Sequence, residues 1–173
     1  MNLLTQLSLE SLQRLIDDQP LKSDSSVQFC AQACPPPHVL QRSIQLAQAG
    51  TATKWALPYF ICMEKTICIE KTICIEQTVV GSIGFKQAPQ HRQVEIGYNV
   101  APSMQGRGLA TLAVKELAQI AFSASLIDQV YAQISPYNHA SLSVVKKCGF
   151  VYQHNVVDDD GECLQRWVLS RPE

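Results

Sequence analysis

The chain has 173 residues, of which 46% are hydrophobic and 17% are charged, and its formal net charge is −1. These totals predict one globular domain (residues 1–173), and the near-neutral charge argues against a nucleic-acid binder or a polybasic membrane surface. No apolar run approaches the ~18 residues of a membrane span, and no basic segment followed by an apolar run indicates a secretory signal. We therefore expect a cytoplasmic protein with no nucleic-acid and no membrane partner.

The N-terminal third is predicted to contain two helices. Ser8 or Ser11 caps a short amphipathic helix. Three consecutive prolines follow later and impose extended backbone, after which His38–Ala49 is predicted to form the second helix. Trp55–Phe60 is predicted to begin the first strand.

The segment Ile61–Thr78 reads ICMEKTICIEKTICIEQT, which is one hexapeptide written three times. Because six is an even number, a strand with this period keeps each residue type on one face, and Ile and Thr favour strands. An unbroken strand of this length would extend ~60 Å, too long for a small domain. A β-helix is less consistent with three copies that contain no corner glycine. Glu64–Lys65 and Glu70–Lys71 are the hydrophilic candidates for a turn.

The second half of the chain alternates strands and helices. Strands are predicted over Thr78–Lys86 and Gln93–Val100, and an amphipathic helix follows from Leu109. A strand over 129–135, a helix over Asn138–Lys147 and two final strands joined by an Asp-Asp-Asp-Gly turn complete the order. This order of elements predicts a mixed α/β domain.

Seven cysteines and four histidines are present. No two cysteines have CxxC spacing, and the histidines are scattered without the spacing of metal ligands. Reduced, buried thiols are the simplest interpretation, with a zinc site or a disulfide framework as the alternative. We therefore expect no metal.

The stretch QGRGLAT (105–111) lies between a predicted strand and a predicted helix. Gly106 and Gly108 permit a tight bend and the close approach of a ligand to the backbone. The following helix directs its unpaired N–H groups and the positive end of its dipole toward this loop, which is typical of a phosphate site. The stretch matches neither a P-loop nor a complete GxGxxG fingerprint, and a tight strand–helix turn is the structural alternative.

Together with its neighbours, this loop resembles the GNAT superfamily of N-acetyltransferases. EIGYNVAPSMQGRGLAT is similar to the family's fourth strand and pyrophosphate loop, VVGSIGFK to its third strand, and NHASLSVVKKCGF to its later N-x-x-S/A…K-x-G-F helix. The resemblance extends from Trp55 to Leu169, whereas the first fifty residues share only two helices with the family. It implies a single-domain GNAT fold: a mixed, mostly antiparallel central sheet flanked by helices, with an extended hairpin formed by the family's second and third strands.

The hexads fall inside that hairpin and exceed its ordinary length by twelve residues. We interpret them as a tandem duplication whose extra residues either lengthen the arms or loop out. A projecting ribbon with an apolar isoleucine face would be a site for self-pairing. The segment 61–78 is therefore predicted to mediate a homodimer.

The resemblance implies acetyl-CoA as cosubstrate and direct acetyl transfer to a primary amine of a small molecule or a protein N-terminus. Backbone at the end of the fourth strand would hold the pantetheine arm, and loop and helix groups would hold the pyrophosphate. The implied cofactor-binding residues are Tyr98, Asn99, Val100, Gln105, Gly106, Arg107, Gly108, Leu109, Ala110, Thr111 and Asn138.

Catalysis needs a base for the amine and a proton donor for the leaving thiolate. Glu95 resembles the fourth-strand glutamate that acts as base in some members, and an edge carboxylate is the structural alternative. The tyrosine that often serves as acid is replaced by Val145. Ser141 resembles the serine with that role in members acting on ribosomal-protein N-termini, and a helix hydroxyl that contacts the cofactor or the backbone is the preferred alternative. Tyr98, Tyr137 and solvent are other donors. A non-catalytic acetyl-CoA sensor or partner module is the alternative function.

Overall fold

The computed structural model of the chain describes residues 3–19, 21, 27–69 and 72–172. The helices and strands follow in this order: β1 (Leu4–Gln6), α1 (Leu9–Ile16), β2 (Val27–Phe29), α2 (Pro37–Gln48), α3 (Thr53–Ala56), β3 (Tyr59–Ile69), β4 (Thr72–Phe85), β5 (Gln93–Val100), a 3-10 turn (Pro102–Met104), α4 (Leu109–Phe122), β6 (Gln129–Ile134), α5 (His139–Lys147), β7 (Val151–Val157) and β8 (Cys163–Ser170).

The strands of the described residues form one eight-stranded sheet in the order β1-β3-β4-β5-β6-β8-β7, with β2 added beside β4. Neighbouring strands are antiparallel except for β5–β6 and β2–β4, which are parallel. The predicted α/β class and the mixed, mostly antiparallel sheet are therefore confirmed. Within the described part of the chain, no helix has the length and apolar character needed to cross a bilayer.

Helices pack on both faces of the sheet, and each face has its own core. The larger core joins α4 and α5 to β5 and β6 and includes the fully buried Leu117, Val130 and Val145. The smaller core joins α1 and α2 to β3 and β4 and includes Leu12 and Phe60. Each large apolar side chain removed from water in this way stabilises the fold by about 1.5–3 kcal/mol.

Two helices begin at the caps that the sequence predicts. The Ser8 hydroxyl accepts a hydrogen bond from the Ser11 N–H at 3.1 Å, and Asn138 Oδ1 accepts one from the Ser141 N–H at 3.0 Å. Each bond satisfies an N–H that the first helical turn leaves without a partner. Gly149 follows α5 with φ +85°, as expected of a residue just after a helix C-terminus.

The predicted start of the first strand is wrong. Trp55 lies in the short helix α3, and the strand begins only at Tyr59, directly after Pro58. The helical turn places the Trp55 ring 4.8 Å from the ring of Phe85, in the larger core. The three-residue strands β1 and β2 escaped prediction as well, because their order comes from pairing with β3 and β4 rather than from a local pattern.

The hexads lie in the hairpin formed by β3 and β4, and the additional residues lengthen its arms. Glu64 is opposite Gln77 and Lys65 is opposite Glu76, so the predicted turn at Glu64–Lys65 is wrong. The last residues in register are Ile69 and Thr72, and the other candidate turn, Glu70–Lys71, lies outside the described residues.

In the register of this hairpin, no isoleucine of one arm is opposite an isoleucine of the other arm. Ile67 is opposite Cys74, Ile69 is opposite Thr72, and Ile73 and Ile75 are likewise opposite a cysteine and a threonine. A shift in register at Ile61/Cys62 marks a bulge at the base of the arms, where such an irregularity increases the local twist. The hairpin is therefore a continuous two-stranded ribbon that extends the sheet.

Candidate functional site

The two parallel strands at the centre of the sheet pair over only part of their length. β5 and β6 are in register from Gln93↔Gln129 to Glu95↔Tyr131, and no further pair follows although β5 continues to Val100. On its other side, β5 stays paired with β4 as far as Val100. The β6-facing edge of Tyr98–Val100 is therefore open to a ligand.

A cavity of about 410 Å³ occupies this opening. It is bounded by the end of β5, the loop before α4, the first turn of α4 and the N-terminal half of α5. The residues predicted as cofactor-binding that line it are Tyr98, Asn99, Val100, Gln105, Gly106, Gly108, Leu109, Ala110, Thr111 and Asn138. Arg107 is exposed and does not line it, and the sequence missed Met104, Ala140, Ser143, Val144 and Lys147, which do.

The loop before α4 is shaped for an anion. Gly106 and Gly108 have φ of +75° and +77°, and a Cβ atom at either position would meet no described atom within 4 Å. No side chain caps α4, and the first helical N–H bonded inside the helix is that of Leu112, to the Gly108 carbonyl. The N–H groups before Leu112 and the positive end of the helix dipole therefore face open space.

Two contacts fix the position of this loop and of α5 relative to β5. The Gln105 side chain donates a hydrogen bond to the Val100 carbonyl at 3.0 Å, which ties the loop to the end of the strand. The Tyr98 hydroxyl donates to the Ser141 carbonyl at 3.2 Å, which ties the strand to α5. Lys147 adds a cation to the cavity wall.

The candidate proton donors differ in their surroundings. Burial raises the pKa of Tyr98 to about 12, so its proton is held tightly. Tyr137 is 86% exposed and lies outside the cavity lining. Val145 is fully buried in the larger core. Ser141 lines the cavity, and its hydroxyl has no hydrogen-bond partner among the described residues.

Glu95 lies away from this cavity. Its neighbours Val94 and Ile96 pack into the core beneath α4, so the alternation of β5 directs Glu95 to the opposite face. There Lys86 Nζ donates a hydrogen bond to Glu95 Oε1 at 2.5 Å, and only 10% of the glutamate side chain is exposed. One carboxylate oxygen is thus bound to a cation, and the other has no partner among the described residues.

A second cavity, of about 190 Å³, lies on the same face as Glu95. It is bounded by α2, Pro58, the end of β4 and residues Gly97–Asn99. Tyr98 and Asn99 line both cavities, so the two meet at the end of β5 from opposite sides of the sheet. No cluster of three metal-ligating side chains occurs in the part of the chain that the structure describes.

The fold and the cavity at the end of β5 define an α/β protein in which a glycine loop and an uncapped helix N-terminus lie beside two diverging strands. The acetyltransferase (GNAT) domain family matches residues 3–151. The chain therefore belongs to this family, and the match begins well before Trp55, where the sequence motifs start.

Curated relatives match over a shorter stretch. The uncharacterized N-acetyltransferase YoaA of Bacillus subtilis (strain 168) is 33% identical over 73 residues, and the uncharacterized N-acetyltransferase p20 of Bacillus licheniformis is 29% identical over 73 residues. Each match includes 42% of this chain and 41% of the relative.

Solved structures share the fold over nearly the whole chain. The aminoglycoside acetyltransferase AAC(6')-Ib in complex with coenzyme A has a TM-score of 0.63 at 16% identity, over 97% of this chain and 94% of that one. A chimera of the spermidine N-acetyltransferase SpeG from Vibrio cholerae and hSSAT has a TM-score of 0.62 at 15% identity, over 96% and 93%. The microcin C7 self-immunity acetyltransferase MccE, bound to acetyl-CoA and AMP, has a TM-score of 0.63 at 15% identity, over 97% and 91%.

Proposed function

We propose that this protein is an acetyl-CoA-dependent N-acetyltransferase that transfers the acetyl group directly to a primary amine. The observation that carries the proposal is the cavity in which an open strand edge meets an uncapped helix N-terminus with two positive-φ glycines. Family membership and the coenzyme A complexes of proteins with the same fold support it. We also propose that residues 1–173 form one such domain, with 61–78 as an insertion in its hairpin.

The residues of the cavity fit the two chemically distinct parts of the cosubstrate. The free N–H groups of Leu109–Thr111 and the Lys147 ammonium complement a pyrophosphate, and the glycines leave room for it. A hydrogen bond to a charged group contributes roughly 1.5–3 kcal/mol. The open edge of Tyr98–Val100 would pair with the amides of the pantetheine arm as a neighbouring strand does, and Asn138 lines the same wall.

Bound acetyl-CoA supplies an activated acyl group, so the chain itself must position the amine and manage two protons. We propose that Glu95, through its unpaired carboxylate oxygen, accepts the amine proton, directly or through water. We propose Ser141 as the donor to the leaving thiolate, because its hydroxyl lines the cavity and is unpaired there. Tyr98 is less suited to this role because burial raises its pKa to about 12 and its hydroxyl already donates to α5.

The acceptor is proposed to be a small-molecule amine or a protein N-terminus. The amine would reach the thioester from the cavity on the Glu95 face, since the two cavities meet at Tyr98 and Asn99. The second candidate function is a non-catalytic acetyl-CoA-binding module, which the buried Val145 at the family's tyrosine position favours. Release of free CoA with a panel of amines and N-terminal peptides distinguishes the two.

Cofactor binding is tested by Gly108→Asp, which adds a negative charge to the loop. We expect acetyl-CoA affinity, measured by calorimetry, to fall at least tenfold while the fold is retained. Gly161→Asp is the matched control, because Gly161 has φ +82°, equally open surroundings and a place in the distant β7–β8 turn. Both variants carry the same ~1–2 kcal/mol backbone strain. Equal affinity in the two variants would remove the basis of the proposal.

We also propose that the chain forms a homodimer through 61–78. Among the described residues, the outer edge of β3 has no neighbouring strand after Ile61, where its pairing with β1 ends, and that of β4 has none before Gln77, where its pairing with β2 begins. Such unpaired edges are templates for pairing with another chain. Cys30, Cys34, Cys62, Cys148 and Cys163 are free thiols. We propose a cytoplasmic location.

A further inference from the structure

The cavity on the Glu95 face has an uneven distribution of charge. None of its lining residues is acidic, whereas two, Arg42 and Lys86, are basic. Lys86 is already paired with Glu95. Arg42, on α2, has no hydrogen bond, ion pair or ring contact with any residue that the structure describes. The wall therefore presents one uncompensated guanidinium group.

The remaining groups of this wall leave few other polar contacts for a ligand. The Ser43 hydroxyl donates to the Val39 carbonyl at 2.9 Å, and the Asn99 amide donates to the Gln32 carbonyl at 2.8 Å. Most of the rest is apolar and includes Pro35, Pro36, Val39 and Pro58. A small ligand seated there would have its apolar part against these residues and its strongest polar contact with Arg42.

We infer that the acceptor is a small amine that also carries an anionic group, a carboxylate or a phosphate, and that Arg42 binds this anion; the inference rests on the proposed acetyl transfer. A guanidinium group offers paired N–H donors that match both kinds of anion. The cavity reaches Tyr98 and Asn99, so a ligand held by Arg42 extends toward the end of β5, where the reactive acyl group would lie.

The same charges disfavour polycationic acceptors. Proteins of the same fold are named for spermidine and for aminoglycosides, which carry several amines. A second ammonium group beside Arg42 would be repelled, and none of the lining residues is a carboxylate that could pair with it. The substrate class of this chain therefore differs from that of these structural relatives.

Matched acceptors test the inference. Ethanolamine, β-alanine and O-phosphoethanolamine are short primary amines that differ in their second group, and the last two separate a carboxylate from a phosphate; spermidine is the polycation. We expect one of the anionic amines to have a kcat/KM on the order of tenfold to a hundredfold above that of ethanolamine. Spermidine should be the poorest acceptor. An equal or higher kcat/KM for ethanolamine or spermidine would overturn the inference.

Arg42→Gln should abolish this preference, and Gln41→Glu is its control. Both substitutions lower the net charge by one, but Gln41 is exposed and does not line the cavity. The preference should survive in Gln41→Glu. If Arg42→Gln keeps the preference, Arg42 does not bind the anion and the inference is wrong.

Direct binding of the same compounds, measured by calorimetry without acetyl-CoA, separates the inference from the proposed function. If an anionic amine binds in an Arg42-dependent way but no CoA is released, the anion site stands and the transfer activity is wrong. If CoA is released with amines whose binding ignores the anion, the activity stands and the anion site is wrong.

Discussion

Deletion of Glu64–Ile75 tests whether the hexads are an insertion into an otherwise complete domain. The deletion joins Met63 to Glu76. Because Met63 is opposite Thr78, Glu76 and Gln77 become the two residues that connect the arms, the same spacing that separates Ile69 from Thr72 in the full chain. Each arm loses six residues, or ~20 Å at ~3.4 Å per residue.

The expected change in stability is small. The deletion removes the six cross-strand pairs from Glu64↔Gln77 to Ile69↔Thr72. Each contributes about 0.2–1 kcal/mol, and the twelve residues no longer have to be ordered, which offsets this loss. The core residues at the base of the hairpin are retained. We expect the free energy of unfolding to change by less than ~2 kcal/mol, which is roughly 4–8 °C in melting temperature for a chain of this size.

A shorter deletion provides the sharper comparison. Removal of 67–72 takes out one hexad, and with the basal register unchanged it places Ile73 and Cys74 at the two connecting positions. A β-branched residue is poorly suited to the positive φ of a two-residue hairpin turn. The variant lacking one hexad should therefore have a lower melting temperature than the variant lacking two, although fewer residues have been removed from it.

Circular dichroism gives both melting temperatures, and calorimetry checks that each variant still binds acetyl-CoA. If the variant lacking two hexads fails to fold, or melts below the variant lacking one, the hairpin is part of the domain's stability and the reasoning is refuted. Sedimentation velocity at matched concentrations tests the dimer at the same time. We expect the full chain to sediment as the larger species and the variant lacking two hexads as a monomer; two identical monomers contradict the dimer.

Three point substitutions probe the site and the sheet. Glu95→Gln should lower turnover by ~10²–10⁴-fold. Lys86→Met removes only the ion-pair partner of Glu95 and should have the smaller effect; equal losses in turnover would mean that the glutamate has a structural role. Ser141→Ala should reduce turnover less than Glu95→Gln and leave acetyl-CoA affinity unchanged, so an unchanged kcat would assign proton donation to solvent. Gly81→Ala places a Cβ 2.3 Å from the backbone carbonyl of the adjacent strand, against 3.3 Å at the nearest contact for Gly84→Ala. We expect a loss of at least ~3 kcal/mol for the first in chemical denaturation and about 1 kcal/mol for the second, and similar losses would show that the strands adjust freely.

The elements that the sequence predicts well are those whose information is local. Helix α4 and strand β5 have clear periodicity, and α5 is bounded by a capping asparagine and a glycine that adopts a positive φ. Short β1 and β2, in contrast, exist because β3 and β4 offer them an edge. The position of the turn in the hexad hairpin could not be predicted from the sequence either, because registers that differ by one hexad have the same local residue pattern.

The site shows the same division. The glycine loop could be predicted from the sequence, because two glycines before a helix N-terminus are enough to indicate an anion site. Lys147 could not be assigned to the cavity from its position in the sequence, since the turn of α5 alone decides which of two adjacent lysines lines it. The pairing of Lys86 with Glu95 depends on the alignment of β4 with β5. That Arg42 lines the same cavity as Lys86 depends on how α2 packs.

The register of the hairpin has a consequence for how this gene can change. If one hexad is added or removed and the basal register is kept, the two residues that connect the arms shift by three positions along the repeat. They are then the Ile-Cys pair of a copy instead of its Glu-Lys or Glu-Gln pair. Adding or removing two moves the connection by six and restores the polar pair. Slippage during DNA replication alters such tandem copies one at a time, but selection for a well-formed connection retains odd totals. Descendants of this sequence are therefore expected to have one, three or five hexads, and chains with two or four should be rare.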